Sequence, residues 1–132
     1  MISSIFINMP VSNVAASRDF FSALGFKFNE QFSNEESICL IIGENMFGML
    51  NNVSKFERFI DKKVVPRDSN EVIISLACES TDEVRKISEA AFAKGARKIN
   101  EPEDHGFMYS WGFEDLDGHL WDLFWMNPEH TP

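Results

Sequence analysis

The feature that most constrains the fold is a pattern of strand and helix segments that occurs twice along the chain. A strand-like run is followed by a helical run ending at Gly25 and then by short apolar runs bounded by turn residues. The same order returns after Glu71, with a second helical run ending at Gly95, so the period is about 70 residues. Glycine suits the left-handed position that closes many helices. The sequence therefore predicts an α+β fold built from two βαβββ modules.

The borders of the predicted elements can be read from capping residues. Ser12 or Asn13 can cap the first helix, and Ser80 with Glu83 forms a capping box for the second. Strands are predicted at FKFN, SICLIIG and MFGMLN in the first module, and at RKIN, GFMYSWGFED and LWDLFWM in the second.

We interpret the chain as one domain with two modules. Module one covers about 1–52, a linker with a short helix around Ser54–Ile60 covers about 53–70, and module two covers about 71–132. With 44% apolar residues, 13 Phe and 3 Trp, its 132 residues are enough for one well-packed core.

Charge and hydropathy indicate which partners to expect. A net charge of −9 without a basic cluster argues against nucleic acid and anionic membranes, since both attract cationic surfaces. No apolar run approaches the roughly 20 residues of a membrane span, and the N-terminus lacks the pattern of a signal peptide. We expect a cytoplasmic protein.

Cys39 and Cys78 show no metal-ligand spacing and are expected to be buried, reduced thiols.

The segment DLDGHLWDLFWM is rich in groups that could bind metal or exchange protons. Asp117 and Gly118 signal a tight turn, so Asp115, Asp117 and His119 are expected to cap that turn and face solvent. Asp122 instead belongs to an alternating strand. Its carboxylate can act as a general base, accept a hydrogen bond from a ligand, or pair with a neighbouring donor.

The segments SRDFFSALGFKF and EDLDGHLWDLFW, with the repeated βαβββ order, resemble the vicinal oxygen chelate superfamily. This superfamily includes glyoxalase I, bleomycin-resistance proteins, fosfomycin-resistance enzymes and extradiol dioxygenases. The resemblance covers nearly the whole chain, and it is greatest to uncharacterised proteins named as predicted lactoylglutathione lyases. It implies a curled, incompletely closed eight-stranded mixed sheet with a ligand cleft between the modules. It also implies a homodimer, for which open sheet edges are one physical reason.

Metal-dependent members of the superfamily place ligands on the first and last strands of both modules. The corresponding positions in this chain hold Phe6, Met49, Ile73 and Asp122. Only Asp122 keeps a ligand type of these members, and transition-metal sites need several ligands in a set geometry. We therefore expect no metal ion and no other cofactor.

The resemblance and the strand alternation together give candidate site residues. We predict catalytic roles for Asp122 and His105, although a histidine beside Asp104 in a loop is also typical of a capped surface residue. Predicted ligand-binding residues are Phe6, Asn8, Met49, Ser75, Tyr109 and Trp111.

Three hypotheses for the function follow. The first is a protein that binds a small organic molecule without a metal, as an enzyme or as a binding protein. The alternative is a metal-dependent enzyme similar to lactoylglutathione lyase or to dioxygenases. In the third, Phe6 and Met49 fill the cleft and the protein acts only by association.

Overall fold

Each half of the chain builds its own four-stranded sheet in the computed structural model, which describes residues 1–130. The chain divides into two units, Met1–Pro66 and Arg67–Pro132. Both units have the βαβββ order, so the predicted α+β class with two such modules is confirmed. Within residues 1–130, no helix is both long and apolar enough to cross a membrane.

The first unit contains four strands and two helices in the order β1 Ile5–Val11, α1 Val14–Ala23, β2 Lys27–Phe28, β3 Ser37–Gly43, β4 Met46–Asn52 and α2 Val53–Ile60. Strand β1 runs parallel to β4, and the other neighbours are antiparallel, so the sheet order is β1-β4-β3-β2. A short helix had been expected around Ser54–Ile60, and α2 confirms it.

The second unit contains β5 Ile73–Ala77, α3 Thr81–Ala93, β6 Glu103–Asp104, β7 Met108–Glu114 and β8 Leu120–Met126. Its sheet order is β5-β8-β7-β6, with β5 parallel to β8. The strand predicted at RKIN was wrong. In that segment only Arg97 forms a bridge, to Glu114, and β6 begins at Glu103 because that residue pairs with Ser110.

The helix ends follow the predicted capping chemistry. Asn13, not Ser12, caps α1 by accepting a hydrogen bond from the backbone of Ala16 at 3.0 Å. Ser80 caps α3 by accepting from the backbone of Glu83 at 3.1 Å. The left-handed glycines are confirmed as well, with φ near 100° at positions 25 and 95.

The turn between β7 and β8 is held by a buried carboxylate. One oxygen of Asp115 accepts hydrogen bonds from the backbone of Asp117 at 2.9 Å and of His119 at 3.0 Å, and the other accepts from the indole of Trp121 at 2.9 Å. The expectation that Asp115 faces solvent was therefore wrong, because its partner Trp121 belongs to the core. Burial raises the pKa of Asp115, although these donors and His119 oppose the shift. Asp117 and His119 are only half-buried.

At Gly112 on β7, the backbone of β8 leaves no room for a side chain. A Cβ atom at this position would lie 2.2 Å from the carbonyl oxygen of Trp121 and 3.1 Å from the Cα of Asp122. Gly48 on β4 differs, since a Cβ there would meet its nearest neighbour, on Leu40, at 3.6 Å, which is ordinary contact. The second sheet therefore requires glycine opposite Asp122.

We predict that Asp115→Asn lowers the free energy of unfolding by about 1–3 kcal/mol, because its amide N–H would face the indole N–H of Trp121. Urea unfolding followed by circular dichroism measures the loss. Trp121→Phe removes the opposing indole donor. In the Trp121→Phe background, Asp115→Asn should therefore lower the free energy of unfolding by a smaller amount. Equal losses in both backgrounds would show that the indole contact does not contribute.

Candidate functional site

The centre of the site is the middle of strand β8. Asp122 pairs with Ser75 on the parallel strand β5 and with Gly112 on the antiparallel strand β7. The hydroxyl of Ser75 donates a hydrogen bond to Oδ2 of Asp122 at 3.2 Å. Leu120 and Phe124 alternate onto the same side of β8 as Asp122. We call this side, opposite the one that α3 covers, the open face of the second sheet.

Three effects act on the pKa of the Asp122 carboxyl group. Partial burial raises its pKa, because removal from water disfavours the charged form. The hydrogen bond from Ser75 lowers the pKa, whereas the negative charge of Glu103 raises it. The net direction is upward, which makes Asp122 a better proton acceptor than an ordinary surface carboxylate.

Glu103 connects Asp122 with the other predicted catalytic residue. Its Oε2 lies 3.2 Å from Nε2 of His105, and its charge acts on Asp122. Both predicted catalytic side chains thus belong to the second unit, although His105 is exposed and contacts Glu103, not Asp122. Sequence reasoning missed Glu103 because it placed the second strand of this module too early, at RKIN. The acidic segment EPED directly before β7 was the available signal.

Tyr109 and Trp111 lie on the opposite, helix-covered face of the second sheet. Trp111 packs against Phe92 of α3 with ring centroids 5.1 Å apart, and the guanidinium of Arg85 lies over Tyr109 at 5.7 Å. Both are buried. Because strand residues alternate between faces, Ser110 and Gly112 occupy the Asp122 side instead. The structure therefore does not bring the predicted ligand-binding residues Tyr109 and Trp111 together with Asp122.

The remaining predicted residues share one face of the first sheet. Phe6 stacks on Phe47 with ring centroids 4.7 Å apart, and Asn8 pairs with Met49 across β1 and β4. Asn8 also accepts a hydrogen bond from Nδ2 of Asn51 at 3.1 Å. Ligand contacts by Phe6, Asn8 and Met49 stay predictions.

Asn8 lies at the end of a chain of hydrogen-bonded side chains. The sequence did not predict this chain. The ammonium of Lys55 donates to the hydroxyl of Ser37 at 2.7 Å, and that hydroxyl donates to Oδ1 of Asn51 at 2.7 Å. Ser37 and Asn51 are both buried, so each depends on these partners. The pair of asparagines that ends β4 was the only hint in the sequence.

The donor set does not suit a metal ion. Of the positions that the resemblance assigns to metal ligands, Phe6 is stacked on another ring, Ile73 is an exposed aliphatic residue, and only Asp122 carries a carboxylate. Across the described residues, 1–130, no three His, Cys, Asp or Glu side chains are grouped to hold a metal ion. The residues present do not fit the metal of the metal-dependent members.

The cysteines offer no reactive thiol. Cys39 is buried as expected, but Cys78 is only half-buried. Burial, reinforced by Glu83, raises the pKa of Cys78 to about 12, so its thiolate is scarce near neutral pH.

Comparison with known proteins gives a consistent result. The model of the Glyoxalase/Bleomycin resistance protein/Dioxygenase superfamily matches residues 5–123. A hypothetical protein from S. aureus is similar in structure, with a TM-score of 0.81 at 28% identity over 94% of each chain. A glyoxalase/bleomycin resistance protein/dioxygenase family enzyme from Burkholderia phytofirmans PsJN has a TM-score of 0.78 at 16% identity, over 92% of this chain and 96% of that one.

A genomically encoded fosfomycin resistance protein from Listeria monocytogenes has a TM-score of 0.71 at 19% identity over 98% of both chains. At 16% and 19% identity, the similarity to the Burkholderia and Listeria proteins shows a shared fold and nothing more. No curated protein matches the chain.

We predict that Glu103→Gln lowers the pKa of Asp122 and that Ser75→Ala raises it, because the first removes a repelling charge and the second removes a donor. A ¹³C NMR titration of the Asp122 carboxyl measures both shifts. Glu89→Gln, on the exposed side of α3, removes an equal charge and should leave that pKa unchanged.

The same shift has a consequence for stability. Since the folded-state pKa of Asp122 is raised above the ordinary value of 3.8, its contribution to stability is fully present below pH 3.8 and is lost as pH rises through the raised pKa. Asp122→Asn serves as the reference for the free energy of unfolding. A contribution of Asp122 to that free energy that grows with rising pH would contradict the raised pKa.

Proposed function

The chain belongs to the Glyoxalase/Bleomycin resistance protein/Dioxygenase superfamily, and on this basis we propose that it binds a small organic molecule on the open face of its second sheet, without a metal ion. The observation that carries the proposal is the half-buried Asp122 carboxylate, oriented by Ser75 on a largely apolar sheet face. Sites for small molecules typically combine apolar walls with a few placed polar groups.

The side chains around Asp122 supply such walls. Leu120 and Phe124 flank it along β8, and Ile73 on β5 pairs with Leu120. Ile73 is 62% exposed, so this end of the face is apolar and accessible. Gly112, opposite Asp122, adds no side chain that would cover the carboxylate.

The chemistry that this site offers is proton transfer to Asp122. A bound hydroxyl or amine can donate a hydrogen bond to the carboxylate, which Ser75 holds in one orientation. A raised pKa favours acceptance of that proton if the bound molecule reacts. We assign His105 the role of a second proton-exchanging group, supported by its contact with Glu103.

Binding to the native state raises the melting temperature, so a thermal-shift screen of small organic fragments can find ligands. We predict that Asp122→Asn weakens the affinity of fragments that bind the wild type by about tenfold, since hydrogen bonds to a charged group contribute roughly 1.5–3 kcal/mol. Ser75→Ala should act in the same direction. Asp19→Asn, an exposed carboxylate on α1, is the matched control.

Two results would contradict the proposal. Equal affinity of the wild type and both site variants would remove Asp122 from the binding site. A melting temperature that rises with Ni²⁺, Zn²⁺, Mn²⁺ or Fe²⁺ and falls again with a chelator would contradict the metal-free part and favour the lyase-like or dioxygenase-like alternative.

We also propose that the protein forms a homodimer, as members of the superfamily commonly do. Support comes from β1, an edge strand of its sheet, where Ile5 and Phe6 expose about half of their surface. Sedimentation velocity should give twice the chain mass of 15.1 kDa. Ile5→Lys should shift the protein toward monomer, whereas Val65→Lys, equally exposed elsewhere, should not. A monomeric wild type would refute the dimer.

A further inference from the structure

A depression of about 500 Å³ in the second unit is lined by two arginines, Arg67 and Arg97. Its polar lining also includes the carboxylates of Asp68 and Glu114, and Leu120 contributes apolar surface.

The depression adjoins the Asp122 site. Leu120 lines it and pairs with Glu114 on the open face, and the next pair on that face is Asp122 with Gly112. Two residues along a strand span roughly 7 Å. A molecule of modest length can therefore reach from the depression to Asp122.

Both guanidiniums keep donors for a ligand. Arg67 donates through Nη2 to the carbonyl of Leu116, and Arg97 donates through Nε to the carboxylate of Glu114. Among the described residues these are the only hydrogen bonds of either guanidinium. A guanidinium has five N–H donors arranged to match a carboxylate, so most remain available.

The charged residues that line the depression determine which anions it can bind. The carboxylates of Asp68 and Glu114 offset the two guanidiniums within the depression. A doubly charged phosphate would meet their repulsion, whereas a single carboxylate can bind the arginine donors at smaller electrostatic cost. The lining therefore favours a monoanion.

We propose that the ligand is a small organic acid whose carboxylate binds Arg67 and Arg97, while its apolar chain crosses Leu120. A hydroxyl or amine at its other end then donates to the Asp122 carboxylate beside Ser75. This inference rests on the proposed function, because it extends the Asp122 site by an anion-binding end.

The test uses 6-hydroxyhexanoate, whose six-carbon chain is long enough to cross Leu120, which lies roughly 7 Å from Asp122 along β8. Its neutral counterpart is 1,6-hexanediol, and hexyl phosphate carries the larger charge. Binding to the full chain is followed by ¹H–¹⁵N NMR titration. We expect the dissociation constant of 6-hydroxyhexanoate to be about tenfold lower than that of the diol, and hexyl phosphate to bind no more tightly than the hydroxy acid.

Variants separate the two ends of the site. Arg67→Gln and Arg97→Gln should each weaken 6-hydroxyhexanoate about tenfold. Arg85→Gln, which removes an arginine from α3 outside the depression, should leave its affinity unchanged. Circular dichroism melting curves show whether each variant folds, and two independent arginine variants keep the test decisive if one does not.

Failure of this inference and failure of the proposed function give different results. Binding that weakens with Asp122→Asn but not with either arginine variant would overturn the organic-acid inference and leave the Asp122 site standing. Binding that weakens with the arginine variants but not with Asp122→Asn would overturn the proposed function. Equal affinity for the diol and the hydroxy acid, or no saturable binding of either, would overturn the inference.

Discussion

Both sheets depend on the parallel pairing of the first strand of a unit with its last strand. A parallel pair needs a long connection, and in each unit that connection contains the helix and the two middle strands. The pairing places residues distant in sequence side by side, such as Ser75 and Asp122, or Asn8 and Met49. Every candidate site contact on a first strand is a consequence of this arrangement.

The same register gives the units different chemistry. At corresponding places, the second sheet has a hydroxyl beside a carboxylate, and the first has an amide beside a thioether. In the first sheet the neighbouring rings of Phe6 and Phe47 stack, and the buried side chain of Asn51 donates a hydrogen bond to Asn8. The internal repeat therefore preserves the scaffold, while the pairing of a hydroxyl with a carboxylate at this place occurs in the second sheet and not in the first.

The sequence predicted elements whose signals are local. Apolar runs bounded by turn residues located β3, alternation located β8, and glycines marked the ends of α1 and α3, because these signals depend on neighbours within a few residues. Predictions failed where a contact with a neighbouring strand, and not the local pattern, decides the outcome. Asp115 is buried because Trp121 holds it, and the short strand β6 lies where β7 can pair with it. The face of Asp122 followed from alternation, whereas Glu103 required knowledge of that pairing.

The close approach of the strands at Gly112 limits how this face can diversify. Since no side chain fits at Gly112, opposite Asp122, any substitution of Gly112 disrupts the sheet before it can alter ligand preference. Changes in specificity during evolution, or in protein engineering, must then come from β5 and from the residues beside Asp122 on β8. The backbone thus narrows the routes by which this site can acquire a new ligand.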